Sequence, residues 1–245
     1  MRKYAILLLL VFCLGSALTS CGDKGSGKVG IGVYTDLASD RSAIGGGDGH
    51  TKYVHTVAAI AEDRSGKIIA CDIDSVEIKV DFSAYGEAKP ADEYKSKGEL
   101  GDEYGMKAAG AKLEWYQQRD AFCKAVIGKT VDEVKGLVGK DGKGNDSVIA
   151  AGCTVKIDEF VAAIVKADEN AEPMAKSVSS LKVRLTTETE GKNASDAAPG
   201  SITSKTKIKI ETDGADIKEK SADFEVWFNK AGILQPPPEA KAEHR

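Results

Sequence analysis

The stretch DSVIAAGCTVKIDEFVAAIVKA, residues 146–167, decides how this chain is interpreted. Its second half has apolar residues at positions 157, 160, 161, 164 and 165. That spacing predicts a helix with one buried face. The small residues before it, AAGCT at 150–154, predict a turn. The turn would hold the hydroxyl group of Thr154 beside the hydrophobic interior, so the function depends on what that threonine carries.

The N-terminus has the pattern of an export signal. Arg2 and Lys3 are followed by a short apolar run at residues 6–14, which is too short to span a membrane. The run leads into Leu-Thr-Ser-Cys at 18–21, and this arrangement resembles the lipobox of bacterial lipoproteins. An ordinary signal peptide that happens to precede a cysteine is the alternative.

The lipoprotein resemblance implies a membrane anchor at Cys21. Residues 1–20 would be removed, and Cys21 would carry two fatty acyl chains, such as palmitate, as the new N-terminus. Two chains hold a protein at a membrane stably, whereas one is marginal. We therefore expect an extracytoplasmic, membrane-anchored protein in which residues 21–28 form the anchor and a flexible tether.

Charge and cysteine content exclude several classes of protein. The formal net charge is −4, and the lysines are scattered among acidic residues, which argues against nucleic-acid binding. Beyond Cys21 the cysteines are Cys71, Cys123 and Cys153. An odd number without a C-x-x-C pair argues against a disulfide framework, although one bridge could form after export. Cys71 and Cys123 are interpreted as small buried hydrophobic residues.

Hydrophobic periodicity predicts an α+β fold, in which an antiparallel sheet with packed helices precedes a β-rich partial repeat. The predicted strands are at 29–35, 53–61, 67–80, 181–185, 202–210 and 224–228. Residues 36–49 are predicted to be a glycine-rich loop. A helix is predicted at 112–126, and Thr130 with Glu133 forms a capping box that starts another.

A short internal repeat divides the chain. The pattern V-x-F-x-x-x-G at 80–86 recurs at 226–232, after a strand and a turn in both places. The second copy has no counterpart of the helices, so its sheet must pack on the first or leave exposed edges. We therefore predict a complete module at 29–171, a partial repeat at 172–235 and a disordered tail at 236–245.

Residues 51–167 resemble the FMN-binding domain family. Its members include a flavin-carrying component of the sodium-translocating quinone reductase and exported flavin lipoproteins of extracellular electron transfer. The likeness is carried by YVHTVAAIAEDRSGKIIACDID, ELGDEYGM, EWYQQRDAFCKAVIGKTVDEV and AAGCTVKIDEFVAAIVKA. It covers roughly half of the chain that would remain after export.

The resemblance implies a flavin site at Thr154 and Gly152. In the family, the last threonine of a Ser/Thr-Gly-Ala-Thr turn receives FMN as a phosphoester from a separate flavin transferase. Gly152 and Thr154 match this turn, but Ala151 replaces the Ser or Thr and Cys153 replaces the Ala. Asp146 is two residues too far upstream to be the motif's acidic residue.

The resemblance leaves two functions open. One is an electron carrier with FMN, served by a flavin transferase and a membrane electron donor, rather than an enzyme. The other is a flavin-free surface binding or structural module derived from the same fold, which presents loops 36–50 and 85–98. In the second case Thr154 would cap a helix or end a strand.

A few other side chains are candidates for a site. Tyr104, Met106, Trp115 and Tyr116 could line a pocket for a flat ring, or serve only for packing. His50 and His55, with Asp48 nearby, do not make a metal-ligand set, and a half-buried strand position is expected for His55. The chain has no motif of a hydrolase.

Overall fold

The computed structural model describes residues 27–91, 93–214 and 217–238. The predicted signal peptide, Cys21 and the tether up to residue 26 lie outside the described residues, as do residues 239–245 of the predicted tail. No helix in the described part of the chain is long and apolar enough to cross a membrane.

The described residues form two antiparallel sheets and a set of helices. The first sheet has the order β4-β3-β2-β1-β5, and the second has the order β6-β7-β8-β9. The strands of the first sheet are β1 Lys28–Arg41, β2 Gly49–Glu62, β3 Ile68–Phe82, β4 Ala88–Lys89 and β5 Glu172–Pro173. Those of the second are β6 Leu181–Lys192, β7 Gly200–Thr212, β8 Lys220–Phe228 and β9 Leu234–Gln235. The predicted α+β class is confirmed.

The helices all lie between β4 and β5 in the chain. They are α1 Lys97–Leu100, α2 Trp115–Val126, α3 Val131–Lys135, α4 Asp146–Ala150 and α5 Asp158–Glu169, with 3-10 turns at Gly101–Tyr104 and Lys140–Gly142. The predicted capping box is present, because the Thr130 side chain accepts from the Glu133 backbone and the Glu133 side chain accepts from the Thr130 backbone.

The first sheet is the middle layer of three. Ile60 and Ile73 pack with the helices on one face, whereas Val57 and Ile78 pack with the second sheet on the other. Because both faces are covered, β2 is buried at every residue from 53 to 62. Helix α5 lies so close to β1 that a Cβ atom on Gly32 would be 2.0 Å from the carbonyl oxygen of Ala163.

The repeated phenylalanines meet at the interface of the two sheets. Phe82 ends β3 and pairs with Gly49, and Phe228 ends β8 and pairs with Gly200. The two rings are fully buried and stack with centroids 4.7 Å apart and an interplanar angle of 5°. The residues that correspond in the sequence therefore occupy equivalent positions in the two sheets.

The loops next to these phenylalanines exchange hydrogen bonds reciprocally. The Ala43 N–H donates to the Gly232 carbonyl at 2.8 Å, and the Ala194 N–H donates to the Gly86 carbonyl at 2.7 Å. Gly86 and Gly232, the repeated glycines, have φ angles of 76° and 66°, which favour glycine. A loop of each sheet is thus hydrogen-bonded to a turn of the other sheet, in a pseudo-twofold arrangement.

The outer face of the second sheet is polar, so this sheet does not need helices to cover it. Along β7, buried Ile202, Ile208 and Ile210 alternate with exposed Lys207 and Lys209. A strand with this alternation buries one face and leaves the other in water. The second sheet therefore needs only the first sheet as its partner.

Three local features of the structure differ from the sequence predictions. Residues 36–41 do not belong to a loop, because β1 continues to Arg41 and pairs with β2 as far as His50, with one irregularity between Leu37 and Ser39. Residues 146–150, including the first alanine of AAGCT, form the short helix α4, which Asn145 caps by accepting from the Ser147 and Val148 N–H groups. Helix α2 also begins at Trp115 rather than at residue 112.

Candidate functional site

The AAGCT turn presents the Thr154 side chain to solvent. Gly152 has a φ angle of 106°, a conformation that favours glycine. Cys153 is fully buried, and burial raises the pKa of its thiol to about 11, so it is a neutral core group. Thr154 and Ala151 are exposed on either side of these two residues. The turn therefore buries its sulfur atom and leaves Thr154 as an exposed residue.

One buried glutamine holds the turn in place. The Gln118 Oε1 atom accepts from the Thr154 N–H at 2.9 Å, the Thr154 hydroxyl at 2.9 Å and the Val155 N–H at 3.2 Å. Its Nε2 atom donates to the carbonyl of Leu113 at 3.1 Å. Gln118 is only 1 % exposed, so its position is fixed by helix α2. The hydroxyl of Thr154 is thereby oriented by a rigid element.

A pocket of about 290 Å³ opens next to this turn. Its lining residues are Ser75, Lys97, Tyr104, Met106, Trp115, Val155, Lys156, Glu159 and Phe160. Val155 and Lys156 directly follow Thr154 in the chain. Trp115 lies one helical turn before Gln118 on α2, and residues three apart on a helix are neighbours on its surface. The Thr154 turn is therefore next to the pocket wall in the chain, although Thr154 itself is not one of the lining residues.

A buried aspartate positions the lysine at the pocket entrance. The Asp74 carboxylate accepts from the Ser96 hydroxyl at 2.7 Å and the Gly98 N–H at 2.9 Å. These bonds hold the start of α1, and Lys97 extends from it across the aromatic rings. The Lys97 ammonium lies 5.4 Å from the Tyr104 ring centroid and 5.7 Å from that of Trp115. Both distances are in the range of cation–π contacts.

A second buried carboxylate orders the other wall of the pocket. Glu114 is 2 % exposed, and its Oε2 and Oε1 atoms accept from the backbone N–H groups of Met106 at 2.8 Å and Lys107 at 3.0 Å. Glu114 also forms a capping box with Gln117 at the start of α2. The segment that carries Met106 is thus attached to the helix that carries Trp115.

Glu159 is the single acidic side chain among the residues that line the pocket. The Thr56 hydroxyl donates to its Oε2 atom at 3.2 Å, and Thr56 also shares a hydrogen bond with the Ser75 hydroxyl at 2.9 Å. Burial raises the pKa of Glu159. With Lys97 and Lys156 nearby, the lining carries two cationic groups and one acid. It suits a flat, aromatic and anionic ligand.

The structure brings together most of the predicted site residues. Gly152 and Thr154 share the turn, and Tyr104, Met106 and Trp115 line the pocket. Tyr116 does not line it, and its hydroxyl donates to Asp102 at 3.2 Å. The interpretation of Thr154 as a helix cap is wrong, because the residue at the cap position of α5 is Ile157 and the Thr154 hydroxyl donates to Gln118.

Sequence reasoning missed four members of the site: Lys97, Gln118, Lys156 and Glu159. A signal existed for Gln118, because it lies on the same face of α2 as buried Trp115 and Phe122. A polar residue on an apolar helical face requires a hydrogen-bonding partner. No comparable pattern marks Lys97, whose position depends on Asp74 in a distant strand.

The two histidines are not part of the site. His55 is 1 % exposed on β2 rather than half-buried as predicted, and its Nδ1 atom shares a hydrogen bond with the Thr35 hydroxyl at 2.7 Å. The part of the chain that the structure describes contains no group of three or more potential metal ligands. Burial lowers the pKa of His55 to about 4.

The low pKa of His55 predicts an acid-sensitive fold. Between pH 6.5 and about 4 the unfolded state binds a proton that folded His55 excludes, so the free energy of unfolding falls as the pH falls. The full loss is about 3 kcal/mol. Burial raises the pKa of Asp72, Glu62 and Glu159, which has the opposite effect. The test therefore compares wild type with His55→Gln by urea denaturation across this range.

The variant His55→Gln should have a weaker dependence of stability on pH between 6.5 and 4. His50→Gln is the matched control, because His50 lies at the start of the same strand and is not buried. Equal pH dependence in wild type and His55→Gln would contradict the prediction.

Comparison of the chain with protein-family models, with curated proteins and with solved structures found no match. The likeness to the FMN-binding domain family therefore stays a prediction. Support for a function comes from the geometry of the site.

Proposed function

We propose that the pocket and the Thr154 turn hold FMN, and that the protein is a membrane-anchored extracytoplasmic electron carrier. The observation that carries the proposal is an exposed threonine, with its hydroxyl oriented by Gln118, that directly precedes two residues of a pocket with aromatic and cationic lining residues. FMN, when bound, supplies the oxidation and reduction chemistry, and the chain binds and orients it.

The two departures from the family turn leave room for a flavin at Thr154. Cys153 lies in the core and does not approach the hydroxyl from outside. Ala151 is exposed and small, so it removes a hydroxyl but adds no obstruction. The turn therefore remains accessible to a phosphate group and to a transferase.

The pocket residues suit the separate parts of FMN. A volume of about 290 Å³ is at the lower end of ligand pockets, so it accommodates a ring system rather than a whole dinucleotide. Tyr104, Met106 and Trp115 are the aromatic and sulfur-containing residues of the lining, and such side chains make the apolar contacts that flat rings prefer. Lys97 and Lys156 offer positive charge for an anionic group.

The anchor end of the domain lies away from the pocket. At the start of β1, Lys28 forms an ion pair with Glu62 at 2.9 Å and another with Asp168. Asp168 is near the end of α5, whereas Glu159 in the pocket is at its start. Glu159 and Asp168 are nine positions apart, which is about 14 Å along the helix. The described start of the chain and the pocket are therefore associated with opposite ends of α5.

Tryptophan fluorescence tests the binding of FMN to the pocket. The sequence has two tryptophans, so Trp227→Phe leaves Trp115 as the single reporter. Made in a host without a flavin transferase, this variant should lose fluorescence on titration with FMN, and riboflavin should bind more weakly because it lacks the phosphate.

Substitution of the pocket lysine Lys97 tests whether its charge contributes to the binding of FMN. In the Trp227→Phe background, Lys97→Gln should weaken FMN binding about tenfold, or about 1.4 kcal/mol, and leave riboflavin unchanged. Lys207→Gln, on the outer face of the second sheet, is the matched control. The absence of any quenching by FMN would overturn the proposal for this pocket.

A specific observation also favours the flavin-free binding module. Ile44 and Tyr85 are 75 % and 78 % exposed, and they lie in the two loops that this alternative uses. Large exposed apolar side chains are typical of contact surfaces when they form a contiguous patch. If FMN fails to bind, the double variant Ile44→Ser/Tyr85→Ser becomes the probe of this function, measured as loss of association with the host's surface layer.

A further inference from the structure

Two of the three described core cysteines are in direct contact. Cys71 on β3 and Cys123 on α2 have Sγ atoms 3.7 Å apart, and all three cysteines of the described residues are free thiols. Both residues belong to the core between the first sheet and the helices. Cys153 also lies in this core, but no hydrogen bond joins its sulfur atom to either of the others.

We propose that Cys71 and Cys123 form a disulfide that joins strand β3 to helix α2 when the protein meets a disulfide oxidant. A bond requires the sulfur atoms to approach from 3.7 Å to about 2.05 Å. Export places a protein in the compartments where such bridges persist. The proposal does not depend on FMN, because it rests on the contact of the two sulfur atoms.

The exposure of each cysteine determines which sulfur atom reacts first. Cys71 is half-buried, whereas Cys123 is only 7 % exposed. The Cys71 thiolate therefore attacks the external disulfide, forms a mixed disulfide and releases one thiolate of the oxidant. Cys123 then loses its proton, attacks the sulfur of Cys71 and releases the second thiolate. Two protein thiols are oxidised, and one external disulfide is reduced to two thiols.

The bridge would constrain a long loop of the unfolded chain. It closes the segment from 71 to 123, which contains α1 and the Tyr104–Met106 wall of the pocket. A loop of this length is expected to raise the thermal midpoint by about 10 °C. The cross-link also fixes α2, the helix whose Gln118 orients Thr154.

Oxidised glutathione is the test reagent, applied to the reduced full chain. The remaining thiols are then blocked with N-ethylmaleimide in denaturant, and non-reduced peptides are identified by mass spectrometry. Wild type and the matched control Cys153→Ser should give the linked peptide of Cys71 and Cys123, with Cys153 alkylated in wild type. The thermal midpoint should rise in both and fall again with dithiothreitol, and Cys71→Ser should show neither effect.

Two results would overturn the proposal. One is wild-type protein in which Cys71 keeps a glutathione adduct and Cys123 is alkylated. The other is a linked peptide that contains Cys153. The peptides of wild type alone decide both, so the test does not depend on the folding of Cys71→Ser.

Discussion

Asp72→Ala is expected to lower the free energy of unfolding by about 4 kcal/mol. Asp72 is 6 % exposed, and its Oδ1 atom lies 3.1 Å from Nη1 of Arg119, which is 3 % exposed. Its Oδ2 atom accepts from the Val183 N–H at 2.7 Å, so one carboxylate contacts both a helix and the second sheet. Alanine would remove the buried carboxylate that faces the Arg119 guanidinium group, which would then keep only the half-exposed Asp120 and the carbonyl of Ile73 as partners.

The cost of this change should not be read as the strength of the ion pair. Burial raises the pKa of Asp72 even though the Arg119 charge lowers it, so the carboxylate loses more from desolvation than the pair returns. A buried ion pair contributes little net stability, but removing one partner leaves the other charge buried and uncompensated. Asp72→Ala/Arg119→Met should therefore be more stable than Asp72→Ala alone.

Urea denaturation of Asp72→Ala, Arg119→Met and the double variant gives a double-mutant cycle, which measures how strongly the two side chains interact. Asp120→Ala is the control, because Asp120 also pairs with Arg119, at 2.7 Å from Nε, but is half exposed at the helix surface. Its loss should be below about 1 kcal/mol. Additive losses for Asp72 and Arg119 would show that the two side chains do not interact in the way described.

Phe228→Ala is expected to lower the free energy of unfolding by a similar amount, about 4 kcal/mol. The ring of Phe228 is fully buried and stacks on Phe82 across the interface of the sheets. Its removal deletes the apolar contact and leaves a cavity, and the tight loops around Gly200 and Gly86 limit how far the interface can relax. Tyr85→Ala is the control at the same end of the sheets, with an expected change within about 0.5 kcal/mol.

The double variant Phe82→Ala/Phe228→Ala should cost less than the sum of the single variants, because each single change already removes the stacking. Phe228→Ala and the double variant should each still unfold in one transition, followed by far-ultraviolet circular dichroism and by tryptophan fluorescence. If the second sheet unfolded separately in wild type, or if Phe228→Ala cost under about 1 kcal/mol, the described interface would be contradicted.

The sequence predicted the elements whose hydrophobic period is unbroken. Helix α5 was evident from five apolar positions at helical spacing, and the hairpin of β2 and β3 from long β-branched runs around a Ser-Gly turn. The phenylalanine and glycine of each repeat were also visible as a short pattern. Such patterns are local in the sequence, so they can be recognised without knowing which elements pack together.

Features that depend on distant contacts could not be predicted. Residues 36–41 are mostly polar and contain no strand pattern, and they are extended because β2 is long enough to pair with them. Lys97 reaches the pocket only because Asp74, 23 positions earlier, holds the start of α1. The exchange of hydrogen bonds between the loops at Ala43 and Gly232 likewise joins residues far apart in sequence.

The intact mass and visible absorption of the protein from its native host test the central claim most directly. The claim predicts a mass increased by one FMN phosphoester and the yellow absorption of a flavin, both lost in Thr154→Ala. Thr154→Ser, which keeps a hydroxyl at the same position, should retain part of the flavin. A colourless protein of unmodified mass, from a host that contains an active flavin transferase, would contradict the attachment of FMN at Thr154.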